Sequence, residues 1–251
     1  MSRTAYDAAV ATRARDSLSA TQRSALKKTA WRFLPLLTIA YLFNYLDRTA
    51  ISFAALTMNQ DIGLTNTQLG LAAGFFFLSY TLCEVPSNLA LYRFGARRWI
   101  ARIMITWGLV SAATAFVTGP ESLYAMRFLL GVAEAGFFPG IAFFLSAWFP
   151  REYRTRMLAW FLVGIPASSL VGAPLCTALL EMDGIWGLAG WQWMFIMVSL
   201  PSVALGFVGP YMMGYLRDAT GGFEQGILVM AGVMAVTTIL ALSLKLTVKQ
   251  E

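Results

Sequence analysis

Long apolar stretches separated by short polar connections dominate the pattern of the chain. Each stretch contains roughly 20 mostly apolar residues, the length that an α-helix needs to cross a bilayer. The pattern predicts membrane spans at approximately Trp31–Leu56, Gln68–Tyr92, Trp99–Val117, Leu123–Phe149, Met157–Leu180, Trp191–Tyr215 and Gln225–Leu244. We therefore expect an all-α fold, a polytopic membrane helix bundle of about seven spans.

Lysine and arginine residues occur in alternate connections between these spans. The segment before the first span is basic, 59–67 has neither residue type, and the next connection carries Arg93, Arg97, Arg98 and Arg102. Connections 118–122 and 181–190 again have none, whereas the one between them carries Arg151, Arg154 and Arg156. Basic connections favour the cytoplasmic side. The pattern predicts a multi-pass protein of the inner or plasma membrane with a cytoplasmic N-terminus.

The composition excludes several classes of protein. Hydrophobic residues make up 58% of the 251-residue chain and charged residues 13%, about half the charged fraction of a soluble domain, so the surface is expected to face membrane lipid. The net charge is +6, but the charges lie in short blocks between apolar spans, which excludes a soluble nucleic-acid binder. Histidine is absent, Cys83 and Cys176 lie within apolar runs, and no metal-ligand spacing occurs. We expect no metal, no cofactor and no enzymatic activity.

Five ionisable residues fall inside the predicted spans: Asp47, Arg48, Glu84, Arg127 and Glu134. A charged residue at the centre of a membrane helix costs about 2.5–3.5 kcal/mol, so each is a candidate functional residue. Arg127 and Glu134 are seven residues apart and share one helix face, about 10 Å apart along the axis. Asp47 falls between their two depths. An anion could bind the arginines while a carboxylate takes up a proton.

Other interpretations of these charges stay open at this stage. Arg127 is near a span end and could extend its guanidinium to the membrane surface. Glu84 could cap its helix or pair with a basic residue of the following connection. Asp47 and Arg48 could form a structural ion pair. Glu134, deep in the fourth span and flanked by apolar residues, is the least easily explained as structural.

Four stretches of sequence carry a resemblance to a known family. They are Asn-Tyr-Leu-Asp-Arg at 44–48; Glu-Val-Pro-Ser-Asn at 84–88, with the basic segment 93–102 behind it; Arg-Phe-Leu-Leu-Gly-Val-Ala-Glu-Ala-Gly-Phe-Phe-Pro-Gly at 127–140; and Trp-Phe-Pro-Arg-Glu-Tyr-Arg-Thr-Arg at 148–156. In this order they resemble the major facilitator superfamily, and within it the anion:cation symporters of the tartrate, sugar-acid and phthalate type. The aspartate usual in the family's basic loop is absent from 93–102.

The resemblance implies a transporter that carries small organic anions (tartrate, sugar acids or aromatic carboxylates) with protons by alternating access. It assigns the coupling proton to Asp47 and Glu134. It assigns substrate binding to four residues: Arg48, Arg127, Tyr45 and Tyr80.

The chain is shorter than the family pattern of two similar halves with about twelve spans in all. We expect a basic cytoplasmic tail at 1–30, a six-helix N-terminal half at 31–205, and a remnant at 206–251 that resembles the end of the C-terminal half. Spans seven to ten are missing from this arrangement. One half has nothing to rock against, so we expect either a homodimer or a second transporter half as partner. The alternative is a truncated membrane protein of the same family that does not transport.

Overall fold

The structure, a computed structural model, describes residues 19–219, which form α-helices joined by short connections and two 3-10 turns, without a β-strand. The helices are α1 (Ala20–Asp61), α2 (Asn66–Phe94), α3 (Ala96–Ala113), α4 (Pro120–Glu134), α5 (Phe137–Trp148), α6 (Arg151–Leu162), α7 (Gly164–Leu180) and α8 (Gly190–Ala219). The all-α membrane bundle predicted from the sequence is thus confirmed.

Five helical segments of the described chain are long and apolar enough to cross a membrane: Asn66–Phe94, Ala96–Phe116, Pro120–Trp148, Arg151–Leu180 and Gly190–Phe207. They correspond to the predicted second to sixth spans. The predicted first span lies within the 42-residue α1, which is not among the five. The polar side chains of Asn44, Asp47 and Arg48 fall in the middle of α1 and lower its hydropathy.

Both ends of the predicted domain organisation reach beyond the described residues. Helix α1 begins at Ala20, so the second part of the predicted 1–30 tail is helical and continuous with the first span. Helix α8 runs from Gly190 to Ala219 without a break, past residue 205 where the first half is predicted to end. The predicted seventh span, Gln225–Leu244, and most of the predicted remnant 206–251 lie outside the described residues.

The predicted fourth span is two helices rather than one. Helix α4 ends at Glu134 and α5 begins at Phe137, because Ala135 has an extended ψ of 133° and Gly136 a left-handed φ of 85°. Glycine favours this conformation, and a Cβ at Gly136 would also lie 2.4 Å from Ser87 Oγ. The same Ser87 hydroxyl donates a hydrogen bond to the carbonyl of Ala135 over 2.6 Å. The break therefore sets the position of Glu134 at the end of α4.

Small residues bring the helices of the bundle into close contact. A Cβ at Gly131 of α4 would lie 2.4 Å from the carbonyl oxygen of Phe76 in α2, and a Cβ at Gly108 of α3 would lie 2.6 Å from Val203 in α8. Helix association in membranes depends on such close packing. Helix α1 packs against α7 and α8, and α4 also packs against α3. These contacts bring α1, α3 and α4 together around the ionisable residues.

Candidate functional site

The predicted charged residues of α1 and α4 form one buried cluster, together with side chains from α2, α3 and α8. The exposed fraction is 1% for Asp47, 3% for Arg127 and 0% for Glu134. Two carboxylates and two guanidinium groups can balance one another there. This balance offsets the large cost of enclosing single charges in a membrane protein.

Glu134 is held by two donors on α1. Arg48 Nε donates to Glu134 Oε1 over 2.6 Å, which makes the ion pair of the cluster, and the Asn44 amide donates to the same oxygen. Glu134 Oε2 has no hydrogen-bond partner among the described residues. Both donors therefore bind the same oxygen of this carboxylate, and the other oxygen is available to accept a hydrogen bond or carry a proton.

Arg48 lies at the edge of the cluster, with 24% of its side chain exposed. Its guanidinium carbon lies 4.7 Å from the centroid of the Tyr80 ring and 5.5 Å from that of Phe76, both on α2. Such contacts attract a cation to the face of an aromatic ring. They fix the guanidinium between an aromatic wall and Glu134, while part of the Arg48 side chain is exposed.

Asp47 faces different partners from those of its neighbour in the chain. Its Oδ2 accepts a hydrogen bond from Trp107 Nε1 over 3.1 Å, and its Oδ1 accepts one from the Ser111 hydroxyl. The interpretation of Asp47 and Arg48 as a structural ion pair is wrong, because Arg48 pairs with Glu134. Adjacent residues on a helix point in different directions and do not face each other.

Arg127 is enclosed rather than extended to the membrane surface. Its guanidinium carbon lies 5.6 Å from the centroid of the Phe195 ring in α8, and Asp47 and Glu134 are the carboxylates whose charges act on it. The interpretation of Arg127 as a residue that reaches for the surface is wrong, since 3% of it is exposed. Arg127 Nε and Nη2 have no hydrogen-bond partner within residues 19–219.

The remaining predicted site residues lie around the cluster with fewer contacts. Tyr80 stacks against Arg48, as described, and is half-buried. Tyr45 is half-buried on α1, and no side-chain hydrogen bond joins it to the cluster in the described part of the chain. Glu84 is half-buried on α2, one turn beyond Tyr80, and takes no part in the Arg48–Glu134 pair. No group of three metal-ligating side chains occurs in residues 19–219.

Sequence reasoning missed the neutral members of the cluster: Asn44, Trp107 and Ser111. Trp107 and Ser111 are four residues apart and therefore lie on one face of α3. A tryptophan and a serine at this spacing inside an apolar span is a weak signal, because either residue also occurs in ordinary helix packing. Asn44 lies three residues before Asp47 and was visible only as part of the 44–48 motif.

A bundle of membrane-crossing helices that encloses matched carboxylates and guanidinium groups defines a polytopic membrane protein with an internal polar site. Residues 37–214 match the model of the Major Facilitator Superfamily. The chain belongs to this superfamily.

Several curated proteins and solved structures are similar to this chain. A protein of Agrobacterium vitis named as a candidate tartrate transporter is 53% identical over 193 residues, covering 77% of this chain and 44% of that protein. The "Quinolone resistance transporter" of Acinetobacter baumannii is 46% identical, covering 73% of this chain and 42% of its own length. The "Inner membrane transport protein RhmT" of Escherichia coli K12 is 41% identical, with 72% and 42% covered.

The fold is also found in a crystal structure of a bacterial homolog of the human lysosomal transporter Spinster, in its inward-facing, unoccupied conformation. The TM-score is 0.65 at 22% sequence identity, and the match covers 76% of this chain and 43% of that one. The chain thus spans about two fifths of the length of the curated relatives and solved structures that it matches.

Proposed function

We propose that this chain is one half of a symporter that carries small organic anions together with protons across the bacterial inner membrane by alternating access. The observation that carries the proposal is the Arg48–Glu134 pair, in which the guanidinium of a part-exposed side chain meets a fully enclosed carboxylate at 2.6 Å. Tartrate, sugar acids and aromatic carboxylates are the substrate classes that we consider. The relatives' names refer to different solutes, so they do not identify the anion.

The geometry of this pair suggests how anion and proton are coupled. A substrate carboxylate that binds Arg48 would compete with Glu134 for the guanidinium, because Nε already donates to Glu134 Oε1. Glu134 would then be an enclosed carboxylate without its cation, which is strongly unfavourable unless the group takes up a proton. Binding of the anion and protonation of Glu134 are therefore expected to favour each other.

Asp47 and Arg127 are proposed as the second carboxylate and the second cation of the same site. Arg127 would complete the grip on the substrate once the bundle opens next to Phe195, while Asp47 takes the other proton. Tyr80 and Tyr45 are proposed to contact substrate hydroxyl groups. Tyr80 supports this role best, because its ring already lies 4.7 Å from the Arg48 guanidinium carbon.

Transport also needs a second half, which we propose is another copy of this chain or a separate transporter half. The support for this is that alternating access rocks one half of a transporter against the other. The exposed apolar side chains of α2 can face either lipid or such a partner: Leu71, Phe75, Leu78, Leu82, Val85 and Leu89. The alternation of basic connections supports a cytoplasmic N-terminus. The competing candidate is a membrane protein of this superfamily that does not transport.

The test is uptake of radiolabelled tartrate into proteoliposomes under an imposed inward proton gradient. Glu134→Gln is compared with Glu121→Gln, since Glu121 is an exposed carboxylate in the first turn of α4. We expect gradient-driven uptake in the parent and in Glu121→Gln, and none in Glu134→Gln. Absence of uptake of every organic anion tried by correctly inserted parent chain, alone and with a complementary half, would favour the non-transporting candidate. Equal uptake by both variants would reject the role of Glu134.

A further inference from the structure

A groove lies apart from the charged cluster, between the first part of α1 and helix α6. It has a volume of about 710 Å³, and none of the cluster residues lines it. Most of its wall is apolar, with Ala30, Leu34, Ile39, Met157 and Val163 among the lining residues. Its volume falls within the roughly 300–1,000 Å³ that is usual for ligand sites.

Two cations line this groove, and none of the described lining residues is a carboxylate. Lys27 of α1 and Arg156 of α6 belong to the lining, and both are exposed. No ion pair is recorded for either residue in the part of the chain that the structure describes. The groove thus combines an apolar wall with two positive charges that form no ion pair within the described residues, which suits a ligand that is apolar along its length and anionic at one end.

The groove also has the position and the length of one membrane leaflet. Trp31, one helical turn from Lys27, lines the groove and is 70% exposed; tryptophan side chains prefer the interface between lipid and water. Trp160, which is 56% exposed, lines the opposite end of the groove. From Lys27 to Thr38, whose hydroxyl donates to the carbonyl of Trp160 over 3.4 Å, the α1 axis extends about 16 Å. One leaflet of the hydrocarbon core is about 15 Å deep.

We propose that this groove binds an anionic phospholipid, with the phosphate between Lys27 and Arg156 and one acyl chain along the apolar wall. A zwitterionic lipid fits less well, because its own ammonium group would lie close to the two cations. A helix of a partner protein would cover the apolar wall but leave both cations without a counter-charge. The basic end of the bundle places this lipid in the leaflet on the side of the basic connections.

The test is native mass spectrometry of the full chain, purified in detergent and titrated with phosphatidylglycerol or with phosphatidylcholine of the same acyl chains. We expect tighter binding of the first phosphatidylglycerol molecule. Removal of each cation should weaken that binding about fivefold, as expected for a basic residue at an anionic membrane surface. The double variant Lys27→Gln/Arg156→Gln should then bind the two lipids almost equally.

The matched control is Lys28→Gln/Arg98→Gln, which removes the same charge from exposed residues that do not line the groove. It should keep the preference for phosphatidylglycerol. A third variant, Ala30→Phe, fills the apolar wall without a change in charge and should weaken the binding of phosphatidylglycerol, with its helical content checked by circular dichroism.

Equal affinity of the parent chain for the two lipids would overturn the proposal. So would an equal loss in the control and in Lys27→Gln/Arg156→Gln, because the preference would then come from the overall charge. Unchanged lipid binding in a folded Ala30→Phe chain would show that the groove is not occupied. None of these measurements requires transport activity.

Discussion

The two carboxylates of the cluster, Glu134 and Asp47, are equally enclosed but are satisfied in different ways. Glu134 meets a guanidinium that is partly open to the outside, and one of its oxygens has no partner in the described residues. Both oxygens of Asp47 accept hydrogen bonds from neutral donors of α3, the Trp107 indole and the Ser111 hydroxyl. A ligand that approaches Arg48 can disturb the first arrangement directly, whereas it reaches the second only through movement of α3 or Arg127.

This difference suggests a division of labour inside one site. In the proposed function, Glu134 would lose its cation to a substrate and would respond by protonation. Asp47 is placed to hold α1 against α3 and to act as a counter-charge to Arg127. Removal of the partners of each carboxylate in turn tests this difference.

The largest effect is expected from removal of the Glu134 carboxylate. Glu134→Ala leaves Arg48 Nε and the Asn44 amide without their acceptor, and loss of one partner from a buried pair costs about 3–5 kcal/mol. The free energy of unfolding, measured in detergent, should decrease by an amount close to this range. Adding Arg48→Met should recover part of the loss. If the double variant lost more stability than the two single variants added together, the pairing would be contradicted.

The next effect concerns the packing that holds the Glu134 side of the cluster together. Gly131→Ala would place a Cβ 2.4 Å from the Phe76 carbonyl oxygen, a backbone atom that cannot turn away, and should cost about 1–3 kcal/mol. Gly74→Ala is the control, because nothing lies within 4 Å of its added Cβ. The control should be neutral or slightly stabilising in a helix. Thermal unfolding of both variants checks this, and equal stability would argue against close contact of α2 with α4.

A smaller loss is expected on the Asp47 side. Ser111→Ala removes one of the two donors to Asp47 and should lower the free energy of unfolding by about 1 kcal/mol, as hydrogen bonds inside membrane proteins are modest. Ser146→Ala is a matched control, since the hydroxyl of this half-buried residue donates to the Phe143 carbonyl of its own helix. If Ser111→Ala abolished anion binding while Glu134→Gln did not, the proposed division of labour would be reversed.

The smallest effect is expected at the aromatic wall. Tyr80→Leu removes the ring beneath the Arg48 guanidinium and should weaken anion binding by about 0.5–1 kcal/mol, whereas Tyr80→Phe keeps the ring. Equilibrium binding of labelled tartrate separates the two variants. A loss in Tyr80→Phe as large as in Tyr80→Leu would instead point to the hydroxyl group, through its hydrogen bond with Arg48 or its proposed substrate contact.

The sequence predicted the helical spans and the enclosed charges, because length, hydropathy and the cost of charges in lipid act locally. It did not predict which charges pair. Asp47 and Arg48 are neighbours in the chain but point toward different helices, and this depends on how α1 packs. The division of the fourth span after Glu134 was also missed, since the apolar run continues through it and a glycine alone does not end a membrane helix.

Because the helix is interrupted between α4 and α5, the two parts of that span can tilt relative to each other. Ala135 and Gly136 leave the helical path, so a tilt of α5 is not transmitted to Glu134 along a rigid rod. Two hydrogen bonds hold this interruption from the side. Trp99 Nε1 donates to Ser87 Oγ over 3.0 Å, and Ser87 in turn donates to the carbonyl of Ala135. The first turn of α3, where Trp99 lies, is thereby linked through Ser87 to the residue that follows Glu134 in the chain.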